Sequence, residues 1–387
     1  MLKHYIGKII MCGAVCSALY SCSDWTKVES INQGTFLENN RSDEYYENLR
    51  AWKARKDHQI TFGWFGNWTG VDQEHSMRSL PDSLDFISIW GSWKNLTDKQ
   101  KTDLQYVQEK KGTKALLCFI IANIGDQITP QSVYDNWQEE GYESERAAVN
   151  AYWGWVDGDD DAISKAIDKY TQGLCDTIHK YNYDGFDIDY EPNYGSSGNL
   201  ASYKDRMLMF CEYMKNHLGE GKMLVVDGEP QSMPAEAGTL LDYFIVQAYN
   251  SYGDSDLNSR LQSTINNFDG VLTPQEVARK YIVTENFESY AANGGNSNYM
   301  DKEGNTFNSL EGMARWVPVI DGDSIMKGGF GSYHIEYDYG LTFTDDFYTA
   351  HPWLSRDDLS YPWTRSGMRA LRALELSLIH ISEPTRH

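Results

Sequence analysis

Cysteine is scarce in this chain, and its distribution excludes two common kinds of scaffold. Six cysteines occur in 387 residues. Cys12 and Cys16 fall in an N-terminal segment of leader character, while Cys118, Cys175 and Cys211 sit in apolar strand or helix patterns. Their number is odd and no metal-ligand spacing occurs, so the sequence predicts neither a disulfide framework nor a zinc site. We expect three small buried side chains there, with no metal and no cofactor.

Positive charge is also in short supply. The chain has 34 Lys and Arg against 56 Asp and Glu, a formal net charge of −22. Such acidity repels nucleic acid phosphates and anionic membrane surfaces. We therefore expect no nucleic-acid partner, whereas an uncharged ligand remains compatible with this charge.

The apolar run near the N-terminus is too short for a membrane span. Residues 1–21 carry two lysines and then this run, which is the form of a secretory signal peptide. The sequence Leu19-Tyr20-Ser21-Cys22 resembles the bacterial lipobox, which implies cleavage before Cys22 and a lipid on its sulfur. We expect residues 22–41 to be a polar tether. The predicted location is the outer membrane, at the cell surface or alternatively on the periplasmic face, with the lipid as the only membrane contact.

The last twelve residues, 376–387, look like the translation of a transposase adapter used in sequencing libraries. We expect them to be non-native and leave them out of the fold prediction. Residues 42–375 then form one large α/β domain, expected to be truncated at its C-terminus. This length suits a single barrel with insertions better than two ordinary domains.

Short apolar strands alternate with helical patterns eight times, which predicts parallel βαβ units closed into a (β/α)8 TIM barrel. We expect extended loops on the catalytic face, at about 122–158 and 286–327. The predicted strands are Ile60–Phe65, Leu84–Trp90, Lys114–Ile121, Tyr183–Glu191, Met223–Gly228, Tyr243–Tyr249, Tyr281–Glu285 and Gly329–Tyr333.

The fourth predicted strand carries acids at every second position. Because successive side chains of a strand alternate faces, Asp187, Asp189 and Glu191 share one face at steps of roughly 6.6 Å. Phe186, Ile188 and Tyr190 take the other face, which argues against a solvated acidic strand. Acids inside a barrel should share protons, and the outermost can hold its proton near neutral pH.

This strand resembles the DxxDxDxE signature of glycoside hydrolase family 18, which contains chitinases and endo-β-N-acetylglucosaminidases. The resemblance implies that Glu191 is the general acid/base, that Asp189 orients the 2-acetamido group of the substrate, and that Asp187 tunes Asp189. It also implies that Tyr249, closing the sixth strand, bonds the acetamido carbonyl. In this family the substrate supplies the nucleophile. Asp184 falls outside the alternating set, and we interpret it as structural.

Further side chains at the ends of predicted strands are candidates for contact with substrate, because barrel enzymes build their sites there. These candidates are Gln247, Asn250, Trp64, Trp90, Asp227, Glu229 and Glu285. Aromatic side chains of the long loops and strand ends are candidate sugar-stacking surfaces, although each alone is more often core packing. They are Tyr134, Trp137, Tyr152, Trp153, Trp155, Tyr290, Tyr299, Trp68 and Trp93.

The substrate prediction rests on the third strand. Chitinases of the family generally carry S-x-G-G there, whereas this chain reads Leu117-Cys118-Phe119-Ile120-Ile121-Ala122-Asn123-Ile124-Gly125. Over about residues 42–372 the chain is more similar to endo-β-N-acetylglucosaminidases of Bacteroidetes, surface lipoproteins that cleave the chitobiose core of N-glycans, with surface glycan-uptake proteins as partners. A chitinase and a non-catalytic glycan-binding lipoprotein remain alternatives.

One weaker motif is the acidic run at 157–161, which partly mimics a calcium loop. Ala162 stands where the turn glycine should be, so an acidic helix start is the simpler interpretation.

Overall fold

Eight parallel strands close into a barrel in the computed structural model, which describes residues 41–194, 196–352 and 360–382, with side chains up to residue 375. Each strand pairs with its neighbour along the barrel, and the last closes onto the first. The predicted (β/α)8 barrel is therefore confirmed. The barrel strands are β1 (Ile60–Phe65), β2 (Phe86–Ile89), β3 (Lys114–Ile120), β4 (Gly185–Tyr190), β5 (Met223–Gly228), β6 (Phe244–Gln247), β7 (Tyr281–Asn286) and β12 (Gly329–Tyr333).

Helices surround this barrel and fill the two long loops. The loop after β3 contains α3 (Gln131–Asn136) and α4 (Glu145–Trp153), and the loop after β7 contains α9 (Phe287–Tyr290) and α10 (Ser309–Arg315). The loop after β7 also contains two small hairpins, β8 (Tyr299–Met300) with β9 (Thr306–Phe307) and β10 (Val319–Ile320) with β11 (Asp323–Ser324). The helices are α1 (Asp43–Lys53), α2 (Asp98–Tyr106), α3 (Gln131–Asn136), α4 (Glu145–Trp153), α5 (Asp160–Tyr181), α6 (Lys204–Leu218), α7 (Asp254–Asn267), α8 (Pro274–Lys280), α9 (Phe287–Tyr290), α10 (Ser309–Arg315), α11 (Asp345–Ala350) and α12 (Pro362–Ser382).

Helix starts follow from capping side chains. Ser42 Oγ accepts from the Tyr45 backbone N–H at 3.1 Å and begins α1. Asp159 Oδ1 accepts from the Ala162 N–H at 3.0 Å and begins α5. Such caps satisfy backbone donors that a helix leaves free in its first turn. The acidic run at 157–161 is thus a helix start, as we interpreted it.

The apolar core has two layers, one between the barrel and the helices and one inside the barrel. Phe186, Ile188 and Tyr190 of β4 belong to the outer layer, and each is at most 2% exposed. Because side chains alternate along a strand, this packing turns Asp187 and Asp189 into the barrel. The apolar half of the strand therefore fixes the direction of its acids.

Three predicted strands have the observed bounds, and the other five differ by one or two residues at one or both ends. The sixth strand ends at Gln247, so Tyr249 and Asn250 lie in the turn that follows it. Asn250 has a φ of 57°, a left-handed conformation that suits asparagine in such a turn.

Several predictions fall on residues outside the described part of the chain. They are the signal peptide, the lipid on Cys22, the tether up to residue 40 and the last five residues of the adapter segment. Within the described ranges, the helices lack the combination of length and apolar character needed to cross a membrane.

Candidate active site

The acidic row of β4 begins deep in the barrel. Asp187 is fully buried, and its Oδ2 accepts from Ser88 Oγ at 2.6 Å and from Trp64 Nε1 at 3.2 Å. These donors come from β2 and β1, brought close by the barrel closure. They favour the ionised carboxylate, and burial opposes it. Burial dominates and raises the pKa of Asp187 to about 6.

Asp189, one step outward, has no such donors. Its side chain makes no hydrogen bond to any described residue, and its Oδ1 is buried. Burial raises the pKa of Asp189 to about 8, and the charges of Glu191 and Asp187 act in the same direction. Of the three acids in the row, Asp189 in the middle therefore holds a shared proton most readily, because like charges lie on both sides of it.

Glu191 directly follows β4, at the carboxyl end where barrel enzymes place catalytic groups. Its Oε1 accepts from Gln247 Nε2 at 2.6 Å, and the same nitrogen donates to Asp227 Oδ1 at 3.2 Å. A side-chain amide nitrogen carries two hydrogens, so both bonds can form together. Gln247 therefore fixes the orientation of the Glu191 carboxyl.

Asp227 lies beneath Gln247 and is 1% exposed. Its Oδ2 accepts from Cys118 Sγ at 3.5 Å. Burial raises the pKa of Asp227 well above its usual value, and the charges of Asp189 and Asp187 add to this. Asp227, a predicted substrate contact, lines the larger part of the cleft described below, and its oxygens accept from Gln247 and Cys118.

Cys118, Asp187 and Asp227 also have the spacing of a metal site, since their ligand atoms lie within 4.8 Å of one another. A metal requires deprotonated ligands. Burial raises the pKa of the Cys118 thiol and of both carboxyls. The three groups are therefore better suited to a protonated hydrogen-bond network than to a set of anionic metal ligands.

An open cleft lies above the acids and has two adjoining parts of about 490 and 420 Å³. Glu191, Gln247 and Tyr249 line both parts. The larger part also contains Trp64, Trp90, Trp93, Asp189 and Tyr333, and the smaller part also contains Tyr194, Glu229, Gln231, Arg260 and Ser263. Glu191, the predicted acid/base, therefore lies where the two parts of the cleft adjoin.

One wall of the larger part is a stack of aromatic rings. The Tyr333 ring stacks on Trp90 at a centroid distance of 5.6 Å and on Tyr249 at 6.1 Å. Burial raises the pKa of Tyr249 well above its usual value, with the Asp227 charge acting in the same direction. Its hydroxyl therefore stays protonated and can donate a hydrogen bond to a ligand.

Glu285 and Asn250 require a correction to the predicted substrate contacts. Glu285 is fully buried; its Oε1 accepts from the backbone N–H groups of Asn250 and Asn286, and its Oε2 accepts from Ser309. Neither Glu285 nor Asn250 lines the described cleft. A strand-end carboxylate here holds a loop, because buried backbone donors need an acceptor.

Glu229 borders the smaller part of the cleft but is 4% exposed. Its carboxylate accepts from the Asn193 backbone at 3.2 Å and from the Asn193 and Ser232 side chains at 2.5 and 2.9 Å. It therefore shapes the loop that follows Glu191.

Four aromatic candidates for sugar stacking are core residues instead. Their side chains are at most 6% exposed, and three donate to buried acceptors, Trp68 to Asp103, Trp153 to Thr129 and Tyr299 to Asp254. The four are Trp68, Trp153, Trp155 and Tyr299. At these four positions the aromatic ring packs in the core and does not face the cleft.

Several residues of the site were absent from the predicted set, and three of them have a clear place in it. Ser88 supports Asp187, Tyr333 forms the aromatic wall, and Tyr194 is 80% exposed at the rim of the smaller part. The position of Tyr333 at the end of the eighth strand was an available signal. Ser88 depends on a contact across 99 residues, for which a single sequence carries no signal.

Comparison with known proteins agrees with this geometry. The model of the BT1044-like group of glycoside hydrolase family 18 matches residues 26–348. A solved structure of selenomethionine BT1044 with a glutamate-to-glutamine substitution aligns at 33% identity and a TM-score of 0.69, over 86% of this chain and 93% of that chain.

Two chitinases were also found among solved structures, both at 13% identity. The enzyme from Pseudoalteromonas aurantia has a TM-score of 0.47 over 81% of this chain and 100% of that one. The enzyme from Bacteroides thetaiotaomicron has a TM-score of 0.46 over 85% of this chain and 100% of that one. A search of curated proteins gave no match. On the family model and the BT1044 alignment, the chain belongs to glycoside hydrolase family 18, in its BT1044-like group, and is a glycoside hydrolase of N-acetylglucosamine-containing glycans.

Proposed function

We propose that this enzyme is an endo-β-N-acetylglucosaminidase that cleaves the β-1,4 linkage in the chitobiose core of N-glycans, with retention of configuration and with the substrate as nucleophile. The observation that carries the catalytic part of the proposal is the row of Asp187, Asp189 and Glu191, which ends in an open cleft beside Tyr249. In this family's chemistry, no second enzyme carboxylate has to attack the sugar.

The proposed reaction starts with Glu191, which protonates the glycosidic oxygen. The acetamido carbonyl oxygen of the same sugar then attacks the anomeric carbon, and the bond to the leaving sugar breaks. Positive charge develops on the acetamido nitrogen. Asp189 accepts its N–H, and the Tyr249 hydroxyl donates to the acetamido oxygen. Glu191 finally acts as base on the water that opens the oxazolinium intermediate.

Asp189 is suited to this task by its pKa of about 8. Near neutral pH it holds a proton in the free enzyme. Positive charge on the bound acetamido nitrogen would favour the carboxylate, and Asp187 is the neighbouring acid that can take up the proton. Asp189 would then become negatively charged at the step in which the acetamido nitrogen becomes positively charged.

The N-glycan specificity is supported by the segment after β3, which lacks the S-x-G-G sequence of chitinases. In the structure, Ala122 O accepts from the backbone N–H groups of Leu200 and Ala201. A Cβ at Gly198 would lie 2.2 Å from that oxygen, so the loops after β3 and β4 are in close contact. The end of β3 and its loop contribute Phe119, Ile120 and Gln127 to the larger part of the cleft, and the loop after β4 contributes Tyr194 to the smaller part.

We further propose that the enzyme is lipid-anchored through Cys22 in the outer membrane and faces the cell surface. This proposal rests on the signal-peptide and lipobox pattern of residues 1–22. A surface position would give access to host glycoproteins, with glycan-uptake proteins as neighbours.

The decisive experiment compares wild type, Glu191→Gln and the exposed control Glu212→Gln on three substrates: a high-mannose glycoprotein, a complex-type glycoprotein and chitin oligosaccharides. We expect wild type and Glu212→Gln to release free glycan and leave one N-acetylglucosamine on Asn, as seen by mass spectrometry. Glu191→Gln should lose about 10²- to 10⁴-fold in rate and still bind, because general acid/base catalysis contributes that much.

Each alternative has its own outcome in the same experiment. Cleavage of chitin oligosaccharides alone would identify a chitinase, and glycan binding by wild type without cleavage would identify a binding protein. If Glu191→Gln kept most of its rate, the assignment of the acid/base would be wrong.

A further inference from the structure

The opposite end of the barrel holds a second cavity, of about 820 Å³, at the amino ends of the strands. Its floor contains Ile60, Phe86, Met223 and Tyr243. The Phe86 and Tyr243 rings stack there with their centroids 5.7 Å apart. Glu191 follows the carboxyl end of β4, whereas this cavity lies at the amino ends, so the cavity is separate from the active-site cleft.

The rim of this cavity has a charge opposite to that of the whole protein. The chain carries a net charge of −22, yet six basic side chains and only two carboxylates line the cavity. The basic residues are Lys53, Arg55, Lys56, Lys114, Arg279 and Lys280. Locally clustered charge of one sign in a concave site raises the concentration of ligands of the other sign.

The two carboxylates of the cavity are already engaged. Asp85 accepts from His58 Nε2 and from the Thr61 N–H, both at 2.8 Å. Asp242 accepts from the Leu224 N–H at 2.8 Å and from Lys215 Nζ at 3.4 Å. Of the basic side chains, Arg55 is paired with Asp57 at 2.7 Å, and Lys280 donates to the backbone oxygens of Gly238 and Leu241.

Three of the six cations are available for a ligand. Lys56, Lys114 and Arg279 are exposed, and their side chains make no hydrogen bond or ion pair with the part of the chain that the structure describes. They come from the segment after α1, the start of β3 and the end of α8, so the fold itself brings three distant segments to one cavity. Nearby, Lys53 Nζ donates to Leu84 O at 2.6 Å and to Thr113 Oγ1 at 2.8 Å.

We propose that this cavity, which we call the basal cavity, binds a phosphate monoester, with Lys56, Lys114 and Arg279 as its charged donors. A guanidinium and ammonium groups together provide the charge-assisted hydrogen bonds that phosphate oxygens prefer. The apolar floor would accommodate the group that carries the phosphate. That carrier can be a small phosphorylated molecule or a lipid headgroup, since both present the same anion.

The test uses the full chain and two double variants with the same charge change. Lys114→Gln/Arg279→Gln removes two proposed donors, and Lys99→Gln/Lys165→Gln removes two exposed lysines elsewhere. Circular dichroism checks folding, which should be retained because all four side chains are exposed. Calorimetry with inorganic phosphate, at constant ionic strength set with sodium chloride, should show binding to wild type and to the control. The Lys114/Arg279 variant should bind at least about tenfold more weakly, as expected for lost hydrogen bonds to a charged group.

Vesicles distinguish the two sources of phosphate. Phosphatidic acid in phosphatidylcholine vesicles is compared with phosphatidylcholine alone. Retention by the phosphatidic acid vesicles, lost in the Lys114/Arg279 variant, would support a lipid headgroup, and binding of inorganic phosphate alone would support a soluble ligand. Failure of both probes to bind wild type, or equal binding by the two double variants, would overturn the proposal. Glycosidase activity should be equal in all three proteins, so the result is independent of the proposed function.

Discussion

Replacement of Asp189 by asparagine should make the protein more stable as the pH rises, relative to wild type. One oxygen of this carboxyl is buried, other acids lie on both sides of it, and its pKa is raised to about 8. A group whose folded pKa lies above its unfolded value stabilises the fold at acidic pH, and that contribution is lost as the pH rises toward the folded value. Asparagine has the shape of the protonated acid and does not titrate.

The size of the effect follows from proton counting. In the unfolded chain an aspartate titrates near 3.9, so between pH 5 and 7 the folded wild type binds one more proton at this position than the unfolded chain. Each pH unit then changes the free energy of unfolding by about 1.36 kcal/mol, or about 2.7 kcal/mol over two units. Asp187 titrates together with Asp189 and remains in both proteins, so the comparison measures the proton binding that the coupled pair loses when Asp189 is replaced.

Urea unfolding monitored by tryptophan fluorescence at pH 5, 6 and 7 measures this difference. We expect the advantage of Asp189→Asn over wild type to grow by about 2.7 kcal/mol across the range. The curves of Asp176→Asn, an exposed acid on α5, should run parallel to those of wild type. A difference between Asp189→Asn and wild type that stays constant with pH would refute the placement of the proton on Asp189. The same variant should lose glycosidase activity, a gain of stability at the expense of function.

Three further changes test the site, the fold and the anchor. Tyr249→Phe should lower kcat by about 10²- to 10³-fold, as for loss of one donor to developing charge; a loss below tenfold in steady-state kinetics would contradict this role. Gly185→Ala should destabilise the protein by about 1–3 kcal/mol, because its Cβ would lie 2.1 Å from Met223 O on the paired strand; an unchanged urea midpoint would contradict it. Cys22→Ser should move the protein from the membrane to the soluble fraction, and continued acylation by mass spectrometry would disprove lipid attachment at Cys22.

The barrel and the acidic row could be predicted because both depend on local periodicity. The alternation of Phe186, Ile188 and Tyr190 with the acids determines which face is apolar, and the outer core confirms that choice. Strand ends were less accurate, since two extra residues at the end of the sixth strand change little in its apolar pattern. Tyr249 consequently lies in a turn and not on the strand itself.

The partners of the acids could not be predicted in the same way. Trp64 donates to Asp187 across 123 positions of the chain, and Ser88 does so across 99. These contacts depend on barrel closure and strand register, which a single sequence does not reveal. For Glu285 the sequence predicted a substrate contact from its position at a strand end. In the structure its carboxylate instead accepts from three nearby donors inside the protein, two of them backbone N–H groups.

The donors around the three acids explain why similar carboxyls on one strand can have different tasks. Asp187 receives two hydrogen bonds from the barrel, and Glu191 receives one from Gln247 at its open end. Asp189 receives none from the described residues, although one of its oxygens is buried. A buried acceptor without a donor is unfavourable until a ligand supplies one. The acetamido N–H of the proposed substrate would be that donor, so the acid that the protein leaves unsatisfied is the one that substrate binding would complete.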